Sequence, residues 1–296
     1  MEIRTLITFQ KILETGSFTK AADALGYSQS TVTMQIKQLE AELGVLLFDR
    51  MGHKTSVNHE GLRFAKYASR IIAEANNALA DLSSDGTPKG TLRIGILESI
   101  CTAHLPLIVS QYHTLYPDVT TVIKIGTFPE LQTMLNSGQI DILWTFDHLL
   151  HPLEWTLAFT YESPIIVVCS PDSPLLTKES LQLKDIAYMP FILTEKDCSY
   201  RIAFSNALAA KGYTPNVFLE IGSTELIKKF LEADLGLSVL PQYTVASELE
   251  RNTLRTLSIT DFDLHMHGQL FFHKSMWISP AITAFIQIVS TVFTAK

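Results

Sequence analysis

Residues 8–50, TFQKILETGSFTKAADALGYSQSTVTMQIKQLEAELGVLLFDR, contain most of three consecutive helical patterns. In each pattern apolar residues recur every three or four positions, as they do on the buried side of an amphipathic helix. Serines stand where the second and third helices need a cap, and a glycine follows the end of each helix. The predicted helices cover 3–15, 18–25 and 29–43, with caps Ser17 and Ser28 and stops Gly16, Gly26 and Gly44.

Three short helices with a tight turn between the last two are typical of a helix-turn-helix, whose last helix enters the major groove of DNA. Val32, Ile36 and Leu39 form the buried stripe of the third helix, so its opposite face is free for DNA. Glutamine and threonine on that face are suited to reading base edges, and acids occur only at its far end. The predicted DNA contacts are Gln29, Ser30, Thr31, Thr33, Met34, Gln35 and Lys37, together with Ser17, which either contacts DNA or only caps its helix.

A basic hairpin is predicted directly after the third helix. Residues 47–48 and 55–57 read as short strands on either side of a polar loop, which resembles a wing. Arg50, His53 and Lys54 are expected along the phosphate backbone or in the minor groove, where cations position a protein without reading sequence. The alternative is a three-helix module for protein interactions, but such a module needs neither an acid-free helix start nor a basic hairpin.

This segment resembles the DNA-binding domain of LysR-type transcriptional regulators. The resemblance rests on SFTKAADAL (17–25), S-x-S-x-V-T-x-Q-I-K-x-L-E (28–40) and L-G-x-x-L-F-x-R (43–50). Ser30-Thr31 and Asn58 depart from residues common in the family, and the first departure hinders transfer of a preferred base sequence. The resemblance implies a bacterial regulator that binds double-stranded promoter DNA as a homodimer or homotetramer, works with RNA polymerase and responds to a small-molecule effector, without a cofactor or metal.

A long amphipathic helix is predicted over 59–83. Its apolar and small residues, from Leu62 to Leu82, recur at three-, four- and seven-residue steps, and the alanines suit close packing against a second copy. The alternative is a helix packed on its own domain. In the resembled family this helix is the dimer arm, and the glycines and proline of 84–90 then indicate a hinge.

The remaining two hundred residues alternate strand and helix patterns. A strand-helix-strand-helix-strand order occurs twice, which indicates parallel sheets covered by helices. With GTLRIG (90–95), YPDV (116–119) and STELIKKFLEADLGLSVLP (223–241), this order resembles the LysR effector domain, two α/β Rossmann-like lobes of the type II periplasmic-binding-protein fold. The predicted units are a winged helix-turn-helix (1–58), a linker helix (59–83), a hinge (84–90) and an effector-binding domain (91–296), with lobe I at 91–162 and 267–296 and lobe II at 163–266.

The bulk composition limits the alternatives. A chain of 296 residues with 47% hydrophobic content predicts more than one folding unit. Its net charge of −7 does not indicate DNA, although residues 1–58 carry six acidic and six basic side chains and are neutral. No signal-peptide pattern, membrane span or CxxC spacing of the three cysteines is found, so a reducing cytoplasm is expected.

Ligands of such sheets bind beyond the carboxyl ends of the strands, where helix N-termini present N–H groups to an anion. Hydroxyl residues at these positions predict a small anion, with Arg201 as its clamp. Each hydroxyl could instead cap a helix, Arg201 could pair with an acid such as Glu195, and Glu98 suits a cationic or hydroxyl group unless it points away. The predicted effector contacts are Glu98, Ser99, Thr127, Thr145, Thr194, Cys198, Arg201, Ser223 and Thr224.

The sequence also bears on three other functions: a redox role, catalysis and solute binding. Cys198 at a helix N-terminus near Arg201 permits a redox role through a depressed thiol pKa, with a buried structural cysteine as the alternative. The motifs GxSxG, HExxH, GxGxxG and the Walker A loop are absent, so no catalytic or metal site is predicted. A solute-binding protein would suit the two lobes but has no need of residues 1–58. The sequence thus predicts a non-enzymatic regulator and leaves open activation or repression, and dimer or tetramer.

Overall fold

The computed structural model describes residues 1–51, 54–83 and 86–294. Its N-terminal part consists of three helices, a two-stranded hairpin and a long helix. These elements are α1 (Ile3–Thr15), α2 (Phe18–Leu25), α3 (Gln29–Leu43), β1 (Phe48–Met51), β2 (Lys54–Val57) and α4 (His59–Ser83).

The C-terminal part alternates strands and helices. Its elements are β3 (Gly90–Ile96), α5 (Glu98–Leu115), β4 (Val119–Ile125), α6 (Phe128–Asn136), β5 (Ile142–Asp147), β6 (Trp155–Cys169), α7 (Leu183–Ile186), β7 (Pro190–Leu193), α8 (Ser199–Ala209), β8 (Asn216–Glu220), α9 (Thr224–Glu232), β9 (Ser238–Pro241), α10 (Ala246–Glu250), β10 (Arg255–Leu257), β11 (His265–His273) and α11 (Pro280–Thr294). None of the described helices is long and apolar enough to cross a membrane.

The ends of the first three helices follow from local chemistry. The Ser28 side chain accepts the Thr31 N–H at 3.1 Å and so satisfies one of the free donors at the start of α3. Gly26 and Gly44, with φ of 69° and 72°, adopt the left-handed conformation that ends α2 and α3. These local signals explain why the positions of the three helices could be predicted.

One aromatic core joins the helix-turn-helix, the hairpin and the long helix. Phe9 of α1 packs against Phe48 of β1 and Phe64 of α4, with ring centroids 5.6 and 5.4 Å away. Ala68 of α4 is completely buried in the same core. The expectation that this alanine packs against a second copy is therefore wrong, because the first half of α4 covers its own domain.

The effector domain is built on a mixed seven-stranded sheet with the order β10-β6-β11-β5-β3-β4, and β9 also pairs with β6. Strand β3 is parallel to β4 and β5, as the alternating pattern predicts, whereas β11 runs antiparallel to β5 and β6. A separate pair, β7 and β8, is parallel. The parallel strands bring their carboxyl ends, and the starts of the following helices, to one edge.

Strand β6 passes through both lobes. Its residues up to Pro164 pair with β11, and from Ile165 onward it pairs with β9 and β10. Here lobe I denotes β3–β5, the first part of β6, β11, α5, α6 and α11, and lobe II denotes the remainder of the effector domain. The passage between the lobes thus lies inside a strand and not in a loop.

Several elements differ from the predictions. The sequence pattern predicts a helix near 105–115 and a strand that begins near Pro164. Helix α5 instead begins at Glu98 and contains Pro106, whose missing N–H interrupts one helical bond without ending the helix. Strand β6 instead begins at Trp155. The short elements α7, α10 and β10 were not predicted, because three to five residues carry too little periodicity to be recognised.

Candidate functional site: the recognition helix and the interlobe cleft

Helix α3 presents a continuous polar face to solvent. Gln29, Ser30 and Lys37 are exposed on it, and Met34 is 64% exposed. Together with Thr33 these side chains line one shallow depression. An exposed methionine among polar residues is unusual on a helix and suits apolar contact with a thymine methyl group.

The structure assigns other hydrogen bonds to several of the predicted readers. Gln35 accepts a hydrogen bond from Thr8 of α1 at 2.7 Å, so its side-chain oxygen is used inside the domain. Thr33 donates to the Gln29 carbonyl at 2.9 Å, and Thr31 is paired with the Ser28 hydroxyl at 2.8 Å. Ser17 accepts the Lys20 N–H at 3.4 Å, as expected of a helix cap. With this rotamer the Gln35 side-chain oxygen is engaged inside the domain, and the DNA contacts of the helix stay predictions.

Glu40 fixes the wing to helix α3, a role that was not predicted. Its side chain is 7% exposed and accepts the N–H groups of Leu47 and Phe48 at 2.8 and 3.4 Å. Because those N–H groups stand where the chain leaves α3 for β1, the carboxylate sets the direction of the hairpin. The isolated acid on the apolar side of α3, next to Leu39 and Leu43, was the available sequence signal.

The wing itself is an antiparallel hairpin. Strands β1 and β2 pair with Arg50 opposite Thr55 and Met51 opposite Lys54. His53 lies outside the described residues. The DNA contacts of Arg50, His53 and Lys54 stay predictions.

A cavity of about 580 Å³ lies between the two lobes, at the edge where the strands end and the helices begin. Its volume is within the range of small-molecule sites. Seven of the nine predicted effector contacts line it, namely Glu98, Ser99, Thr127, Thr145, Thr194, Cys198 and Thr224. Arg201 and Ser223 do not line it.

Arg201 cannot act as the predicted anion clamp. Its guanidinium pairs with Glu220 at 2.8 Å and also donates to the Thr194 carbonyl, and the side chain is 8% exposed. Glu220 ends β8 and Thr194 follows β7, so the arginine holds two neighbouring strand ends of lobe II together. Glu195 was the acid expected as an alternative partner of Arg201. In the structure the partner of Arg201 is Glu220 instead.

Glu98 bridges the lobes. Its carboxylate accepts hydrogen bonds from the Thr224 N–H at 3.3 Å and the Thr224 hydroxyl at 2.8 Å, and from Ser223 at 3.4 Å. Glu98 begins α5 in lobe I, whereas Thr224 begins α9 in lobe II. The N-terminus of α9, which could have bound an external anion, is therefore occupied by the protein's own carboxylate.

Carboxylates also lie at two other helix N-termini of the cleft. Glu130 accepts the Thr127 N–H and hydroxyl, both at 2.9 Å, in a capping box on α6, and these bonds lower the pKa of its carboxyl group. Asp147 of lobe I accepts the hydroxyl of Ser199, the first residue of α8 in lobe II, at 2.5 Å. The spacing of Thr127 and Glu130 was a sequence signal for the capping box, but the Asp147 contact had none.

The charges that line the cleft do not favour the expected small anion. Among the described residues that line it, none is lysine, arginine or histidine. Five are acidic, namely Glu98, Glu130, Asp147, Glu195 and Asp197. An anion here would meet like charges.

The three cysteines are free thiols, and their surroundings do not activate them. Burial raises the pKa of the Cys198 thiol, opposite to the depression expected from its place at a helix N-terminus. Burial also raises the pKa of Cys101, and that of Cys169 to about 11. Of the two alternatives for Cys198, these surroundings favour the buried structural cysteine over the redox role.

Two family models together match almost the whole chain. Residues 3–62 match the bacterial regulatory helix-turn-helix protein of the lysR family, and residues 85–294 match the LysR substrate binding domain. The chain belongs to the LysR family. Like other members, it is a DNA-binding transcriptional regulator with a substrate-binding domain, and the matched families and relatives are regulators and not enzymes.

The LysR relatives match it along its full length. It is 35% identical to the HTH-type transcriptional regulator YwqM of Bacillus subtilis (strain 168), over 99% of this chain and 100% of the relative. It is 28% identical to GltR of the same organism, over 100% and 98%. Two solved LysR structures have the same fold: full-length CbnR with its target DNA (TM-score 0.68, 21% identity, 98% and 99% coverage) and full-length OxyR from Pseudomonas aeruginosa (0.76, 20%, 98% and 94%).

The exposed cation of α3 gives a first test of this DNA-binding surface. Lys37→Ala is expected to weaken binding to all DNA sequences alike and to reduce the slope of log affinity against log salt by about 0.9, because one phosphate contact is lost. Fluorescence anisotropy with a specific and a scrambled duplex at several salt concentrations measures both quantities. Lys184→Ala, which removes an exposed lysine of lobe II, is the control and should leave the slope unchanged.

Proposed function

We propose that this chain regulates transcription as a homo-oligomer whose DNA-binding domains are repositioned when a small molecule occupies the interlobe cleft. The main support for this proposal is that polar contacts across the cleft join the two lobes at the site where a ligand would bind. Besides Glu98 with Thr224 and Asp147 with Ser199, the Ser99 hydroxyl lies 3.1 Å from that of Tyr243. A ligand that competes for these groups changes how the lobes are held together.

A route from the cleft to the DNA-binding domain runs through α4. Arg70 of this helix donates to Ser275, which follows β11, at 2.7 Å. The same stretch of α4 passes Gly138, where a Cβ would stand 3.1 Å from the Arg70 side chain. This close contact supports transmission of a lobe movement to the linker helix, since Gly138 and Ser275 both belong to lobe I.

The homo-oligomer is supported by apolar side chains that α4 leaves exposed. Leu62 and Tyr67 are 56% and 59% exposed, although the first half of the helix already covers its own core. We propose that α4 pairs with α4 of a second copy, with the effector domain adding contacts in a tetramer. RNA polymerase is the proposed further partner at the promoter.

The proposed coupling is tested with a variant that fills the cleft. Ile202 of α8 lines the cavity and is 44% exposed, so Ile202→Trp can occupy the ligand's space without disturbing a core. We expect the variant to bind genomic promoter fragments as the wild type does in gel shifts at low salt, and to lose the change in DNase I footprint caused by a small-molecule extract of the cells.

Ile278→Trp is the matched control, because Ile278 is similarly exposed and does not line the cleft. This control should respond like the wild type. Failure of the wild type to retain any fragment would contradict DNA binding. An unchanged response in Ile202→Trp would contradict the effector role of the cleft.

A further inference from the structure

We propose that the interlobe cleft binds its effector through a positively charged group, an ammonium or a similar organic cation, and rejects carboxylates. This inference rests on the proposed effector role of the cleft and defines the chemical class of the ligand. It reverses the expectation drawn from the strand-end position of the site.

Two of the carboxylates that line the cleft are unpaired among the described residues. Three of the lining carboxylates already accept hydrogen bonds from serine or threonine, but Glu195 and Asp197 have no hydrogen-bond or ion-pair partner within the described part of the chain. Lys196, which separates them in sequence, does not line the cleft. Like charges gathered in one cavity repel each other, and an entering cation relieves that repulsion.

Glu195 is placed in the cleft by its neighbour. Gly222 follows β8, and a Cβ at this position would clash with the Glu195 carboxylate. The absence of a side chain at Gly222 therefore lets the carboxylate lie against the backbone at the start of α9, close to the lining residue Thr224. The Glu195 side chain is exposed, and its carboxylate lines the cleft from this position.

A second, independent observation points to a ligand. Thr145 of β5 lines the cleft, is 1% exposed, and its hydroxyl has no hydrogen-bond partner among the described residues. A buried hydroxyl without a partner is costly, and a ligand donor or acceptor would satisfy it. The site thus combines an unused polar group with uncompensated negative charge.

The lining also contains apolar and aromatic side chains. Among them are Ile125, Phe128, Tyr200 and Ile202. Aromatic faces attract organic cations in addition to the attraction of the carboxylates. The fitting ligand is therefore an organic amine with an apolar body, and not a bare metal ion.

The test compares ligands that share one carbon body and differ in the charge of their terminal group. One set is 2-phenylethylamine, 3-phenylpropionate and 2-phenylethanol, and the other is 1,5-diaminopentane, pimelate and 1,5-pentanediol. Calorimetric titration of the full-length protein at constant ionic strength should give a dissociation constant at least about tenfold lower for an amine than for its alcohol, since one paired charge contributes on the order of a factor of ten. The carboxylates should bind no better than the alcohols.

The double variant Glu195→Gln/Asp197→Asn removes the two unpaired charges and keeps their size. It should weaken amine binding about tenfold or more, whereas Glu179→Gln, an exposed acid outside the cleft, should change nothing. An unchanged melting temperature of the double variant without ligand establishes that it is folded. Amine binding that survives in this variant overturns the inference.

The remaining outcomes separate this inference from the proposed function. Binding of a carboxylate in preference to its amine overturns the cationic ligand and leaves the effector role of the cleft intact. If no amine binds better than its alcohol, the inference is also overturned. The footprint comparison of Ile202→Trp with Ile278→Trp decides the effector role without reference to ligand charge.

Discussion

Replacing Glu40 by alanine is expected to lower the free energy of unfolding of the N-terminal domain by about 2 to 4 kcal/mol and to weaken DNA binding more than tenfold. The carboxylate is the acceptor for the Leu47 and Phe48 N–H groups, which are buried at the start of the wing. Without it two donors lose their partner, and β1 is no longer fixed to the recognition helix. For a domain of this size the loss corresponds to roughly 10 °C or more in melting temperature.

Two related variants, Glu40→Gln and Glu42→Ala, separate the loss of the hydrogen-bond acceptor from the loss of a charge on the same helix. Glu40→Gln keeps one acceptor oxygen and should lose much less stability than Glu40→Ala. Glu42→Ala removes the same charge from the same helix, but its partner is the exposed N-terminal amine, so it should leave the stability nearly unchanged. Circular dichroism melts and anisotropy with one promoter fragment measure both effects. Equal losses in Glu40→Ala and Glu42→Ala would show that the wing does not depend on this anchor.

Glu98→Ala is expected to open the cleft to anions. The substitution removes the carboxylate from the N-terminus of α9, with the loss of about 2 kcal/mol and roughly 4 to 8 °C in the melting temperature of the effector domain. The freed Thr224 N–H and helix dipole then form a site for a small carboxylate. Acetate should therefore restore part of the lost stability, by raising the melting temperature of the variant more than that of the wild type.

The comparison requires chloride at matched ionic strength, because general salt effects act on every variant. Glu179→Ala is the control and should respond to acetate as the wild type does. If acetate stabilises Glu98→Ala no more than Glu179→Ala, the view that Glu98 occupies an anion site of the protein's own is wrong.

The helix-turn-helix could be predicted because its signals are local. Ser28, Gly26 and Gly44 act within a few residues of where they stand, and the buried stripe of α3 follows from its own periodicity. The contact of Gln35 with Thr8 joins residues 27 positions apart, so no local pattern showed that this predicted reader is turned inward.

The cleft could be predicted in position but not in charge. The rule that ligands bind at strand ends selected seven residues that line the cavity, among them Thr145 and Thr224. The rule also favoured an anion, because it assumes that the N–H groups at helix N-termini have no partner within the protein. The sequence could not show that Glu98 reaches Thr224, 126 positions away, or that Asp147 reaches Ser199, 52 positions away.

The same long-range geometry explains the error at Arg201. An arginine near a helix N-terminus is as compatible with an anion clamp as with an internal ion pair. Its direction depends on β8, which brings Glu220 beside it from 19 positions away. Pairing of Arg201 with a nearby acid was the correct alternative. The acid expected was Glu195, however, and its side chain lines the cleft instead.

We propose that occupation of the acid-lined cleft by a cation changes how this LysR-family regulator holds DNA. The most direct measurement is a DNase I footprint on one promoter fragment with saturating 2-phenylethylamine or 3-phenylpropionate at equal ionic strength. We predict that the amine alone changes the length or the hypersensitive sites of the footprint, and that Ile202→Trp abolishes this change. A footprint that responds to the carboxylate but not to the amine, or that responds equally in Ile202→Trp, would contradict the claim.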